Sequence, residues 1–191
     1  MEQQAKRGRL VVVTGPSGVG KSSITREAVA RTGALLSVSA TTRPPRPGEV
    51  DKREYHFVDR KTFEDMVATG EMLEWAEVYG ELYGTPAWPV REAMAEGKVI
   101  LLEIDVQGAL QVHEKMPTAT FVFIDPPDRR VLAERLRSRG TEEEQAVQKR
   151  LAKAEAEVKA ADGSGIYKHR VVNDDLETAI EQVVEILNQE S

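Results

Sequence analysis

Eight residues, Gly15-Pro16-Ser17-Gly18-Val19-Gly20-Lys21-Ser22, match the spacing G-x-x-x-x-G-K-S and follow directly on the apolar run 10–14. Their types and order point to phosphate chemistry. Glycines let the chain turn so that backbone N–H groups converge on one anion, and the N-terminus of a following helix adds positive potential at the same spot. Lys21 then brings a point charge to the β- and γ-phosphates of a nucleoside triphosphate, and the Ser22 hydroxyl is placed to ligate Mg²⁺. A glycine-rich turn that binds nothing would not need strand, loop, Lys, Ser and helix in register.

Such a loop works only between a buried strand and a helix, and both are present. Residues 10–14 read as the strand. Residues 22–31 contain no Pro or Gly and run into Gly33 as a stop signal. Further runs at 99–104, 120–124 and 170–172 read as core strands. Helical stretches lie between and after them: 90–96 before Gly97, 109–116 before Pro117, and 176–187 after the capping pair Asp174 and Asp175. This alternation predicts an α/β fold with a central parallel sheet flanked by helices. Two stretches depart from it. Residues 37–88, with a proline-rich turn and a helical run 60–69, read as an inserted lobe. Residues 128–161 are charged, helical and poor in large apolar residues in their second half, so they predict a mobile lid that is not deeply buried. The core is then 9–36, 89–127 and 162–191 of a single domain. Glu103 and Asp105, two apart at the end of the run 99–104, are expected on one face near the carboxyl end of a strand, where open α/β sheets bind ligands.

Composition narrows the partners. The 191 residues carry a net charge of −6 with a pI near 5.3, which opposes a nucleic-acid surface working by counterion release. There is no Cys, so thiolate metal sites and disulfides are excluded and a reducing compartment is allowed. His56, His113 and His169 are too scattered for a metal cluster. The first nine residues are polar, and the apolar run after them is too short for a signal-peptide core or a membrane span. These features suit a cytoplasmic enzyme of small molecules, with no nucleic acid or membrane partner, and leave a homo-oligomer open.

Longer segments carry a specific resemblance. After the phosphate loop come Ser37-Val38-Ser39-Ala40-Thr41-Thr42-Arg43-Pro44-Pro45-Arg46-Pro47-Gly48-Glu49-Val50, then Tyr55-His56-Phe57-Val58, Glu74-Trp75-Ala76 and Tyr83-Gly84-Thr85. Glu103-Ile104-Asp105-Val106-Gln107-Gly108, Arg139-Gly140-Thr141-Glu142 and Val172-Asn173-Asp174-Asp175 follow. In order and spacing, from about residue 9 to 188, the chain resembles guanylate kinase, which phosphorylates GMP with ATP and Mg²⁺ in purine nucleotide metabolism. The resemblance implies roles residue by residue. Arg43, Arg46, Tyr55 and Tyr83 would hold the acceptor's phosphate. Glu74 and Asp105 would face the guanine N–H groups, with Ser39 and Thr85 as hydroxyl partners and Glu103 nearby. Arg135, Arg139 and Arg150 would be the lid arginines that reach the transferring group, with Arg139 also close to the adenine alongside Asn173 and Asp174.

The residue chemistry fits those roles. Prolines 44, 45 and 47 stiffen the segment that carries two forked guanidiniums suited to phosphate. A carboxylate opposite guanine N1 would meet an acceptor on adenine, and unpaired buried polar groups reject a wrong partner strongly. Four positions depart from the family's usual pattern. Glu103 replaces a common Asp, leaving open whether it positions a Mg²⁺-bound water, the nucleotide or Lys21. Ser23 stands where Thr is frequent, and Lys52 where Gly is usual, at a turn that favours positive φ. Asp125 precedes Pro126-Pro127 with no functional account. Two other readings use the same residues: a kinase of a sugar phosphate, against which Glu74 and Tyr83 stand, and a non-catalytic module binding a phosphorylated peptide, against which the intact phosphate loop stands.

Overall fold

The computed structural model describes residues 8–138 and 144–189. β1 (Arg9–Thr14) leads through the glycine loop into α1 (Lys21–Thr32), which stops at Gly33 in the left-handed region (φ 72°), and a two-residue strand β2 (Leu35–Leu36) follows. The next segment holds β3 (Ala40–Thr41), β4 (His56–Phe57), α2 (Arg60–Ala68), β5 (Met72–Val78) and β6 (Glu81–Pro86). The chain returns through α3 (Ala87–Ala95), β7 (Val99–Glu103), α4 (Val106–Lys115) and β8 (Thr120–Asp125). Two neighbouring helices, α5 (Arg129–Ser138) and α6 (Glu144–Ser164), precede β9 (His169–Val172) and α7 (Leu176–Asn188).

β1 lies in the middle of a five-stranded, all-parallel sheet of order β2-β7-β1-β8-β9. Its valines are buried on both faces, as a strand covered by helices on both sides requires. Alternation divides them. Val11 and Val13 join Ile24 and Ala28 of α1 and Ala179, Ile180 and Val183 of α7, whereas Leu10 and Val12 join Val90 of α3 and Ala109 and Val112 of α4. Val13 pairs with Glu103 on one side and Val122 on the other, so β7 ends beside the last residues of β1 while β8 runs on to Asp125. A second sheet, β4-β3-β6-β5, packs Ala40, Met72 and Leu82 against Phe63 of α2. Among the described residues, no helix is long and apolar enough to cross a membrane.

The structure corrects three local expectations. α4 starts at Val106 rather than 109, because Asp105 caps it: its side chain accepts from the Gly108 N–H at 2.9 Å. Asp105 therefore lies beyond β7, and the expected shared strand face with Glu103 does not exist. α3 starts at Ala87, with Pro89 inside its first turn, where a missing N–H removes no helical bond. The second half of the 128–161 stretch is more buried than expected. Leu151 and Ala154 of α6 pack on Leu132 and Leu136 of α5, and Ala161 packs with Val106 and Phe123, since alanines let the helices approach closely. β2, two exposed leucines on the sheet edge, has no periodicity long enough to read. Lys52 does adopt positive φ (66°), as does Tyr79 (52°) at the exposed β5–β6 turn.

Candidate active site

The phosphate loop is shaped by close approach as much as by conformational freedom. At Gly15 (φ 149°) a Cβ would stand 2.4 Å from the carbonyl oxygen of Ile124 in β8, and at Gly20 (φ 101°) 2.5 Å from the Asn173 side-chain nitrogen. Asn173, 3% exposed, donates from Nδ2 to the Val19 carbonyl at 2.7 Å and so ties the loop to the end of β9. Lys21 Nζ donates to the carbonyls of Gly15 (2.5 Å) and Pro16 (3.2 Å). Burial lowers the Lys21 pKa from its ordinary value, opposed by the nearby carboxylates of Glu103, Glu157 and Asp105. A cavity of about 360 Å³ opens here, lined among others by Gly18, Lys21, Ser22, Glu103, Asp105 and Glu157.

Glu103 faces α1 from the end of β7. Its Oε1 accepts from Ser22 Oγ at 2.6 Å and its Oε2 from Thr25 Oγ1 at 2.8 Å. One carboxylate thus holds the loop serine and a threonine one turn later, a pairing with no signal in the sequence because the partners are about eighty positions apart. Hard oxygen donors at Ser22 and Glu103 suit Mg²⁺. No group of three or more His, Cys, Asp or Glu able to hold a metal occurs among the described residues.

The helices α5 and α6 bring cations to the loop. Arg150 Nη2 donates to Ser17 Oγ at 2.9 Å, and Arg135 donates to the carbonyls of Asn173 (2.9 Å) and Asp174 (3.4 Å). Arg139 lies outside the described residues. Lys153 and Glu157 of α6 also line the cavity, and burial raises the Glu157 pKa. Their i, i+4 spacing is that of any exposed helix pair, so the sequence does not single them out.

A second constellation lies on the smaller sheet and reaches the first through α4. Glu74 in β5 is 8% exposed and accepts from Thr85 Oγ1 of β6 at 2.6 Å. Burial raises its pKa above the ordinary glutamate value. A Cβ on Gly108 would lie 2.9 Å from Glu74 Oε2, so the carboxylate rests on the first turn of α4 that Asp105 caps. Opposite β6, Arg43 donates to Glu49 from Nη1 (3.0 Å) and Nη2 (2.9 Å), with its Cζ 5.6 Å from the Tyr55 ring centre. The Arg43 pKa is raised, first by Glu49 and then by the Tyr83 hydroxyl, whose ring meets that of Tyr55 at 6.0 Å. Arg46 is exposed; Ser39, half-buried, accepts from the His56 N–H through its carbonyl.

Comparison with known proteins agrees in one direction. The Guanylate kinase family profile matches residues 7–190. The chain is 54% identical to a guanylate kinase of Gloeobacter violaceus, covering 95% of this chain and 88% of that protein, and 49% identical to one of Carboxydothermus hydrogenoformans, covering 96% and 89%. A crystal structure of guanylate kinase from Anaplasma phagocytophilum superposes with a TM-score of 0.70 at 32% identity, over 95% of this chain and 85% of that one. Phosphate loop, parallel sheet and matched length together make the chain a member of the guanylate kinase family.

Proposed function

We propose that this protein transfers the γ-phosphoryl group of ATP to GMP, and to dGMP, giving ADP and GDP. The observation that carries the reading is the meeting of two sites on the first turn of α4: the phosphate-loop cavity reaches Asp105, and the buried Glu74–Thr85 pair rests on Gly108. In this reading residues 37–88 bind GMP, residues 128–161 close as a lid, and the remainder binds ATP. The loop amides of residues 15–22 and Lys21 hold the β- and γ-phosphates, while Asn173, Asp174 and Arg139 flank the adenine. Thr85 occupies one oxygen of Glu74, which leaves the other to accept from guanine, and Asp105 offers a second acceptor. Ser39 and Thr85 complete the base's hydrogen bonds. Arg43, Arg46, Tyr55 and Tyr83 hold the acceptor phosphate, whose oxygen is the nucleophile.

Phosphoryl transfer requires placement and charge neutralisation rather than a covalent intermediate. Lys21, Arg135, Arg139 and Arg150 supply cations around the transferring group, with Arg43 and Arg46 on the acceptor side. Mg²⁺ held at Ser22, with Glu103 orienting that hydroxyl, would neutralise charge on the donor phosphates. Absence of cysteine and small anionic substrates accord with a cytoplasmic setting.

ADP formation with ATP and Mg²⁺, offering GMP, dGMP, AMP, CMP and UMP in parallel, tests the reading. Turnover confined to the guanine acceptors is expected, with kcat lowered at least about 10²–10³-fold in Lys21→Ala. Turnover indifferent to the acceptor would sink it.

A further inference from the structure

Glu49 stands inside the segment of arginines and prolines, yet nothing above gives it a task. Its position is well determined. The turn 46–49, with Gly48 at φ 89° and the Glu49 N–H donating to the Arg46 carbonyl at 3.0 Å, folds its side chain back over the segment. There the carboxylate takes three hydrogen bonds: Nη2 of Arg43 on Oε1 (2.9 Å), Nη1 of Arg43 on Oε2 (3.0 Å), and the Arg46 backbone N–H on Oε2 (2.7 Å). The paired side chains are only 14% and 18% exposed, far less than the other ion pairs of this segment and of α2.

A guanidinium has five N–H groups in a fixed fork. Glu49 takes one from each Nη, and the Pro44 carbonyl takes another from Nη1 at 2.7 Å. What these three contacts leave is the Nε–H and one N–H of Nη2, the second parallel pair of the fork, and the Tyr83 hydroxyl also hydrogen-bonds the guanidinium. The rings of Tyr55 and Phe57, 5.6 and 5.8 Å from Arg43 Cζ, limit swinging of the plane.

We propose that Glu49 is a positioning residue for the acceptor: by holding one edge of the Arg43 fork and the backbone of Arg46 together, it presents the other edge, preformed, to the phosphate of GMP. This rests on the GMP reading above. Preorganisation of this kind adds to binding of the phosphate and leaves binding of the base alone. A Gln at this position keeps one acceptor oxygen but puts an NH₂ against the guanidinium; an Asp keeps both oxygens on a shorter arm.

The test compares GMP with guanosine, which has the base and lacks the phosphate, on wild type, Glu49→Gln and Glu49→Asp. Loss of a charge-assisted bidentate contact should weaken GMP binding by about 10- to 100-fold in Glu49→Gln and less in Glu49→Asp. Guanosine inhibition and the KM for ATP should hardly change. Three results would overturn the inference: GMP and guanosine weakened together, which marks a general structural role; GMP binding unchanged; or GMP bound more tightly, which would make Glu49 a competitor of the phosphate. A wild-type protein that binds GMP no better than guanosine would instead remove the acceptor reading itself.

Discussion

Glu74 sets burial against charge at one side chain. This carboxylate is 8% exposed and accepts from the Thr85 hydroxyl, and burial raises its pKa. The sign follows from linkage. Between the unfolded and the raised folded value the native state binds more protons, so this group's contribution to stability is fully present below the unfolded pKa and is lost as pH rises through the folded one. Glu74→Gln removes that dependence while its carbonyl still accepts from Thr85. Thermal denaturation of the empty protein from acid to neutral pH should therefore show the variant gaining on wild type as pH rises. At neutral pH the variant is expected to have the higher Tm. If Glu74 accepts from guanine as proposed, GMP affinity should fall about 10- to 100-fold, since a charged acceptor is lost. A variant less stable than wild type at neutral pH would contradict the account. Lys21 is the reverse case, a buried cation whose pKa is lowered by desolvation and supported by three carboxylates.

At the scale of elements, the first turn of α4 joins the two constellations. Asp105 caps it, and Gly108 sits where a side chain would meet Glu74. Gly has a lower helix propensity than Ala, so the position forgoes some helical stability for close approach. Gly108→Ala should leave Tm unchanged or slightly raised, because a Cβ 2.9 Å from Oε2 meets the far end of a side chain able to give way. The same displacement should raise the KM for GMP while leaving the KM for ATP alone. Equal effects on both substrates would show that α4, rather than Glu74, had moved. The glycine loop behaves differently, because Gly15 approaches backbone and has no yielding neighbour.

For the whole molecule, the second sheet and the α5–α6 pair each have a small apolar cluster of their own, while Leu73 of β5 and Ala161 near the end of α6 tie them to the apolar clusters of the parallel sheet. Units with clusters of their own, tied to the core at one end, can turn about that tie with little repacking of their interiors. If residues 37–88 and 128–161 close over two nucleotides, a distance between them should shorten on binding both. The chain has no cysteine, so Thr69→Cys on the turn after α2 with Lys149→Cys on α6 gives a unique pair for spectroscopic labels, both sites exposed. GMP with a non-hydrolysable ATP analogue should shorten the distance more than either alone. Invariance under all three conditions would count against closure. Independently, any nucleotide that binds the native state should raise Tm, by roughly 3 kcal/mol of stability at a hundred times its Kd.

Much of this was legible in the linear chain, for a local reason. The loop 15–22, the buried run before it and the stop at Gly33 are contiguous, and contiguous residues declare themselves through spacing, glycine placement and apolar period. The α/β class followed from the alternation of such runs. Local signals failed where two local rules compete, as at Asp105, whose carboxylate serves the cap of α4 rather than extending β7. They were silent where partners meet only through the fold: Glu103 on Ser22 and Thr25, Asn173 on Val19, Arg150 on Ser17, Glu74 on Gly108. Those pairings depend on strand order and helix packing, which bring together residues separated by tens of positions, so only the tertiary structure decided which carboxylate faces which hydroxyl.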